Sequence, residues 1–304
     1  MKISSITKII ILITISLFFL IIAVYVGLSL YITNLAFQVK INLPETNPEE
    51  YNIEFEEIEF LSKEKEEITL RGWWIPTTNS KGTIIWIHGL DANREGEKME
   101  LIADINSLGF SVLTFDLRGH GHSDQAPLGL GLREKNDVLG AIKYLKENQN
   151  INYVGVMGIS YGAVIGILAA EETDSIVGVF ADSPYYNIPE LLAKEVSDRT
   201  PIPKFIADLL KFGIIKSSII LQDINIEDIA PQETVSNLNF PIIIVHCEDD
   251  ERIPISHSDV ISSNSPKKSE YHKFEICEEH GKAYEGNRDT YMKYFKEYFD
   301  ERFN

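Results

Sequence analysis

Residues 154–163 read VGVMGISYGA. An apolar run from Tyr153 to Met157 stops at Gly158, presents Ser160, and resumes after Gly162 as a small-residue helix over 163–170. Gly158-Ile159-Ser160-Tyr161-Gly162 is thus a G-x-S-x-G where a strand turns into a helix. Such a turn forces the serine backbone into a strained conformation, and only neighbours without side chains avoid a clash there. The hydroxyl is held above a sheet, and the helix N-terminus beneath it favours developing negative charge. Five loosely specified positions recur by chance, so the flanking strand and helix carry the reading.

Outward from this turn, short apolar runs alternate with helical stretches. Residues 53–61 and 68–75 read as a hairpin that opens a sheet. Strands follow at 83–87, ending in His88-Gly89, and at 111–115, ending in Asp116. Further strands are expected at 176–181, 241–245 and 271–276. Helices are expected at 96–108, 132–148 and 284–303. The 132–148 stretch is amphipathic, with Val138, Leu139, Ile142 and Leu145 on one face. This alternation predicts an α/β fold, a mostly parallel central sheet with helices on both faces. Reactive groups of such sheets gather at the C-terminal strand ends. His88, Asp116, Ser160, Asp182, Asp250 and His280 all fall at or just past such ends, so one rim is expected to hold them.

The chain has 304 residues, 44% of them hydrophobic, enough for a proper core. Its net charge of −18 argues against nucleic acid, because little here would neutralise a phosphate backbone. Residues 9–32 are almost wholly apolar, long enough for the roughly 20 helical residues that cross a bilayer. A cleaved signal peptide would have a shorter apolar region and a small-residue cleavage site. An uncleaved anchor, residues 1–33, is therefore expected, followed by a tether at 34–51 with Pro44 and Pro48. Lys2 and Lys8 precede the span and acidic residues follow it. The positive-inside rule then leaves the N-terminus in the cytoplasm and residues 52–304 outside, on a single-pass membrane protein.

Taken together the motifs resemble the α/β-hydrolase superfamily. These are the His88-Gly89 turn, the Arg118-Gly119-x-Gly121-x-Ser123 loop, the elbow at Ser160, Asp250 in D-x-x-I-P, and His280-Gly281. They extend over about residues 53–303 in the family's order of Ser, Asp, His. The resemblance is nearest to membrane-anchored serine hydrolases of the esterase, lipase and serine-aminopeptidase type.

That resemblance implies a serine nucleophile, Ser160, and a base, His280, whose alternative is an ordinary loop histidine. A carboxylate must hold the imidazole in the right tautomer. Glu248, Asp249, Asp250 and Glu251 are candidates, and the resemblance selects Asp250, with Asp249 the fallback and Asp182 ranked below. Two backbone donors must meet the oxyanion, which the resemblance assigns to the N–H groups of Leu90 and Tyr161. His88 is read as ordering the oxyanion loop, Arg118 and Asp137 as structural, and Trp73 and Trp74 as core. His120 and His122 lack a clear third ligand, so no metal is expected, and the chemistry needs no cofactor.

The stretch 183–240 breaks the rhythm, with helix-like pieces at 189–196 and 204–219. It is expected to form a small helical cap. Its apolar residues would line an acyl pocket or pack the cap on the core. Cys247 and Cys277, the only cysteines, stand at the ends of the last two strands, where a bridge or two buried thiols are both consistent. The expected activity is hydrolysis of a small-molecule carboxylic ester, with lipid-like acyl esters and thioesters within range. Glu190 or Glu195 contacting a substrate amine would instead suit a peptidase. A catalytically inert binding protein on the same fold is the alternative of another class.

Overall fold

The computed structural model describes residues 4–64, 67–96, 99–199, 201–275, 277 and 279–303. They divide into two compact units. The larger comprises Val39–Asn187 and Ile229–Asn304. Its strands are β1 (Glu56–Leu61), β2 (Thr69–Ile75), β3 (Thr83–Ile87), β4 (Ser111–Phe115), β5 (Val154–Ile159), β6 (Ile176–Asp182), β7 (Ile243–Cys247) and β8 (Glu270–Phe274). They form one sheet in the order β1-β2-β4-β3-β5-β6-β7-β8. β1 pairs antiparallel with β2 and β2 with β4, and every other pairing is parallel, so β2 alone runs against the rest.

The central strands are buried at every position, which is why they read as continuous apolar runs rather than alternating ones. The smaller unit supplies the first helix in chain order, α1 (Ser5–Ala36). In the larger unit α2 (Met99–Ser107) and a closing helix, Ala283–Phe303, pack together with Trp86, Met157, Phe180 and Val245 in one core. α3 (Lys135–Asn148) and α4 (Tyr161–Ala170) pack on each other and α4 also lies on β5 and β6. α3 starts three residues later than the periodicity suggests. The buried carboxylate of Glu134 accepts from the N–H groups of Gly129 and Gly131, each at 2.7 Å, and so holds the preceding loop.

Residues 40–46 are fastened to the loop after β3. Lys40 N–H donates to the Asp91 carboxylate at 2.8 Å, and Glu45 and Thr46 N–H both donate to the Glu95 carboxylate.

The smaller unit comprises the chain up to Gln38 together with Ile188–Asp228. α1 carries on average strongly apolar residues and is long enough to cross a membrane. α6 (Lys204–Gln222) packs on both α1 and α5 (Ile188–Arg199). Stretch 183–240 is thus shared between the units, because residues 229–240 belong with the larger one. There α7 (Pro231–Asn237), too short and polar to show in the periodicity, packs on α4. α8 (Ser256–Asn264) follows β7, and the closing helix is α9, broken at Asn287.

Candidate active site

β5 delivers Ser160 to its end, and α4 begins at the next residue. Ser160 stands at φ 54°, ψ −110°, a region that costs a non-glycine residue energy. Two glycines make this turn possible. A Cβ on Gly162 would lie 2.1 Å from the Ile87 carbonyl oxygen, and one on Gly158 would lie 2.4 Å from the Gly162 carbonyl carbon. Ser160 N–H donates to the Asp182 carbonyl at 2.8 Å, which carries the β5–β6 ladder into the turn.

Two strands away, β7 ends in a turn that carries Asp250. Its Oδ1 accepts from the N–H groups of Arg252 at 3.0 Å and Ile253 at 2.8 Å. Its Oδ2 accepts from Nδ1 of His280 at 2.6 Å. Burial would raise this carboxyl, but hydrogen bonds from His246 and His280 outweigh burial and hold it well below the usual carboxylate range. His280 Nε2 is buried and has no hydrogen-bond partner among the described residues. The neighbouring Gly281, at φ +75°, sits against Ile159 of the elbow, 3.1 Å from its Cγ2 to an ideal Cβ. An imidazole held this way presents its free nitrogen as a base, with a carboxylate behind it to stabilise the cation.

The other acidic candidates have different partners. Asp249 accepts from Cys277 N–H. Asp182 is fully buried and accepts from Ser183 and Tyr291 hydroxyls, and burial pushes its carboxyl up. Cys247 and Cys277 are joined in a disulfide, which ties the β7 turn bearing Asp250 to the segment leading to His280.

The loop after β3 is held by side chains that bind main-chain atoms. His88 Nδ1–H donates to Gly89 O at 2.7 Å while Nε2 accepts from Leu117 N–H at 3.0 Å. His120 Nδ1–H donates to Arg118 O at 2.9 Å, and Nε2 accepts from Asp91 N–H at 3.3 Å. The rings meet edge to face at 4.8 Å. Burial lowers both imidazoles, and His88 is lowered further by its neighbour His120, so both are neutral. Asp116, fully buried, receives Arg94 N–H at 2.7 Å and His122 N–H at 2.8 Å. These contacts leave Leu90 N–H with no hydrogen-bond partner among the described residues. Tyr161, the first residue of α4, has no helical carbonyl four residues back to receive its N–H.

Arg118 and Asp137 form a buried pair, with Nη2 2.6 Å from Oδ1 and Nε 3.1 Å from Oδ2. Trp73 and Trp74 are core residues. The sequence reading missed His246. This fully buried side chain on β7 reaches Asp250 Oδ2 at 3.3 Å, Ile253 O at 2.9 Å and Ser258 Oγ at 2.6 Å. Its only signal was a polar residue at the last but one position of an otherwise apolar strand.

The strand order and the strained serine elbow give the chain the α/β-hydrolase fold, and its sequence is similar to hydrolases of that superfamily. Within that superfamily, residues 78–221 match the family described as serine aminopeptidase, S33. The chain is 28% identical over 242 residues to the uncharacterized protein YqkD of Bacillus subtilis, covering 76% of this chain and 75% of that one. It is 26% identical over 185 residues to lysophosphatidylserine lipase ABHD12 of Danio rerio, covering 58% of this chain and 45% of the lipase. Among solved structures, Pyrococcus furiosus esterase Pf2001 superposes with a TM-score of 0.73 at 20% identity, covering 88% of this chain and 100% of the esterase. At that identity the likeness speaks for the fold.

Proposed function

We propose that the chain is a membrane-anchored serine hydrolase of acyl esters. Ser160 attacks the carbonyl, His280 takes its proton and returns it to the leaving group, and Asp250 orients the imidazole and stabilises its cation. Leu90 N–H and Tyr161 N–H receive the oxyanion, and water then releases the acyl-enzyme. The observation that carries this reading is the 2.6 Å bond from His280 to Asp250, with Nε2 left without a partner.

Helix α1 is read as the anchor, with the N-terminus cytoplasmic and the hydrolase unit outside. The Cys247–Cys277 bridge supports that orientation, since disulfides persist in oxidising compartments. The substrate is read as a lipid-like acyl ester. The likeness to enzymes named lysophosphatidylserine lipases supports this choice, although the chain spans less than half of their length. The match to the serine aminopeptidase family supports a second reading, an amidase or peptidase.

The test is covalent labelling of the full chain in detergent by a fluorophosphonate probe, comparing wild type with Ser160→Ala. Labelling that disappears with the serine supports the nucleophile. Turnover of p-nitrophenyl esters against aminoacyl amides then separates esterase from peptidase. A well-folded wild type that neither labels nor turns over either substrate would mean an inert binding protein.

A further inference from the structure

α6 shows two contrasting sides. Ala207, Leu210, Gly213, Ile214, Ser217 and Ser218 are buried. The opposite side carries Phe205, Leu209, Phe212 and Ile220, exposed at 65%, 65%, 66% and 76%. At 100° per residue these four fall within one narrow arc, a stripe running the length of the helix. Lys216 lies in the same arc, with its ammonium 5.5 Å from the Phe212 ring centre. An apolar stripe this long is too costly to leave in water without a purpose.

Its surroundings name the occupant. α6 is fastened to α1 within one compact unit. Tyr25 hydroxyl donates to Leu209 O at 3.1 Å and accepts from Gly213 N–H at 3.0 Å. Thr33 hydroxyl donates to Ile214 O at 3.3 Å. Gly213 is required at the approach, because a Cβ there would lie 2.1 Å from Ser29 Oγ. All these contacts fall between Tyr25 and the C-terminal end of α1. A bilayer core takes about 20 residues of a helix, so the stretch from Tyr25 onward emerges at the lipid–water boundary. The charge agrees. α6 carries three lysines and one aspartate, in a chain of net charge −18.

We infer that α6 is an interfacial membrane helix, whose Phe205–Leu209–Phe212–Ile220 stripe lies in the leaflet that α1 leaves, with lysines reaching the anionic headgroups. This rests on the reading of α1 as a membrane anchor. Interfacial helices of this kind bury their apolar side several ångströms into the headgroup–acyl boundary. Lysine stems extend along it to keep their charge in water.

The test places single cysteines at Leu209, Phe212, Leu20 and Lys143 in the full chain, the native pair being bridged. Each is labelled with a fluorophore after reconstitution into phosphatidylcholine–phosphatidylglycerol vesicles. Brominated acyl chains and aqueous iodide serve as quenchers. Labels at 209 and 212 are expected to quench with brominated lipid, as Leu20 does, and to be at least about threefold less open to iodide than the exposed Lys143 position. Labels at 209 and 212 as open to iodide as Lys143, beside a lipid-quenched Leu20, would overturn the inference and leave the anchor standing. Labels shielded from both quenchers would overturn it in favour of a protein partner. A Leu20 label untouched by brominated lipid would remove the anchor and the inference together.

Discussion

His246 and His280 converge on one oxygen: both imidazoles approach Oδ2 of Asp250, at 3.3 and 2.6 Å. His246 Nε2–H is shared with Ile253 O, and its Nδ1 accepts from the Ser258 hydroxyl. Asp250 is therefore fixed from two sides, by main-chain N–H groups on Oδ1 and by the imidazoles of buried His246 and partly buried His280 on Oδ2.

Replacing that second imidazole tests its part. His246→Phe leaves Ile253 O and Ser258 without their buried partner, a loss of about 1–3 kcal/mol in urea unfolding. With the carboxylate less firmly aimed, the rate of fluorophosphonate labelling is expected to fall by about tenfold, while Ser258→Ala, which leaves the Asp250 contact intact, slows it far less. An unchanged rate in folded His246→Phe would make His246 purely structural.

Asp250→Asn keeps an oxygen for Arg252 and Ile253 N–H but turns an amide toward His280. The wrong tautomer of the imidazole follows, and kcat is expected to drop by about 10³–10⁴ with KM little changed. Steady-state kinetics on a soluble ester measure this.

Stability depends on pH through His88 and His120. Both are lowered by burial, so the unfolded chain takes up protons that the native fold refuses. Unfolding free energy therefore falls as the pH drops below about 6.5, by at most about 1.4 kcal/mol per unit for each ring. Urea midpoints of wild type between pH 7 and 5 should decline more steeply than those of His120→Gln. Equal slopes would mean that the ring protonates freely in the fold.

Gly162→Ala places a methyl against the Ile87 carbonyl, where backbone must move. A loss beyond about 4 kcal/mol, or failure to fold, is expected in thermal or urea unfolding. The neighbouring helix position Ala163 faces no such limit on its own methyl.

The disulfide gives a simpler count. Denatured wild type is expected to show no free thiol before reduction and two after it. Cys247→Ser with Cys277→Ser should cost about 2–4 kcal/mol. Two thiols without reductant would remove the bridge.

Much of the larger unit was legible because its local chemistry and its global fold agree. β3 and β4 begin and end where the apolar runs do. Gly158 and Gly162 mark the elbow because no other residue fits there. What stayed hidden has physical reasons. α7 and α8 are short, and their identity as helices comes from packing on α4 and β7 rather than from periodicity. Arg94 is buried by Glu57, Gly72 and Asp116, partners distant in sequence, while Glu134 and His246 are buried by nearby loop and turn groups that hydrophobic periodicity does not mark. Periodicity likewise gave α6 as a helix while saying nothing of its attachment to α1.

That attachment has a practical side. Tyr25 places a hydroxyl between a carbonyl and an amide of α6, so the backbone of one helix is completed by a side chain of the other. Cutting the gene after the apolar segment, the usual route to a soluble enzyme, would remove more than a leash. It would strip α6 of the helix it packs upon and expose Gly213 and its neighbours.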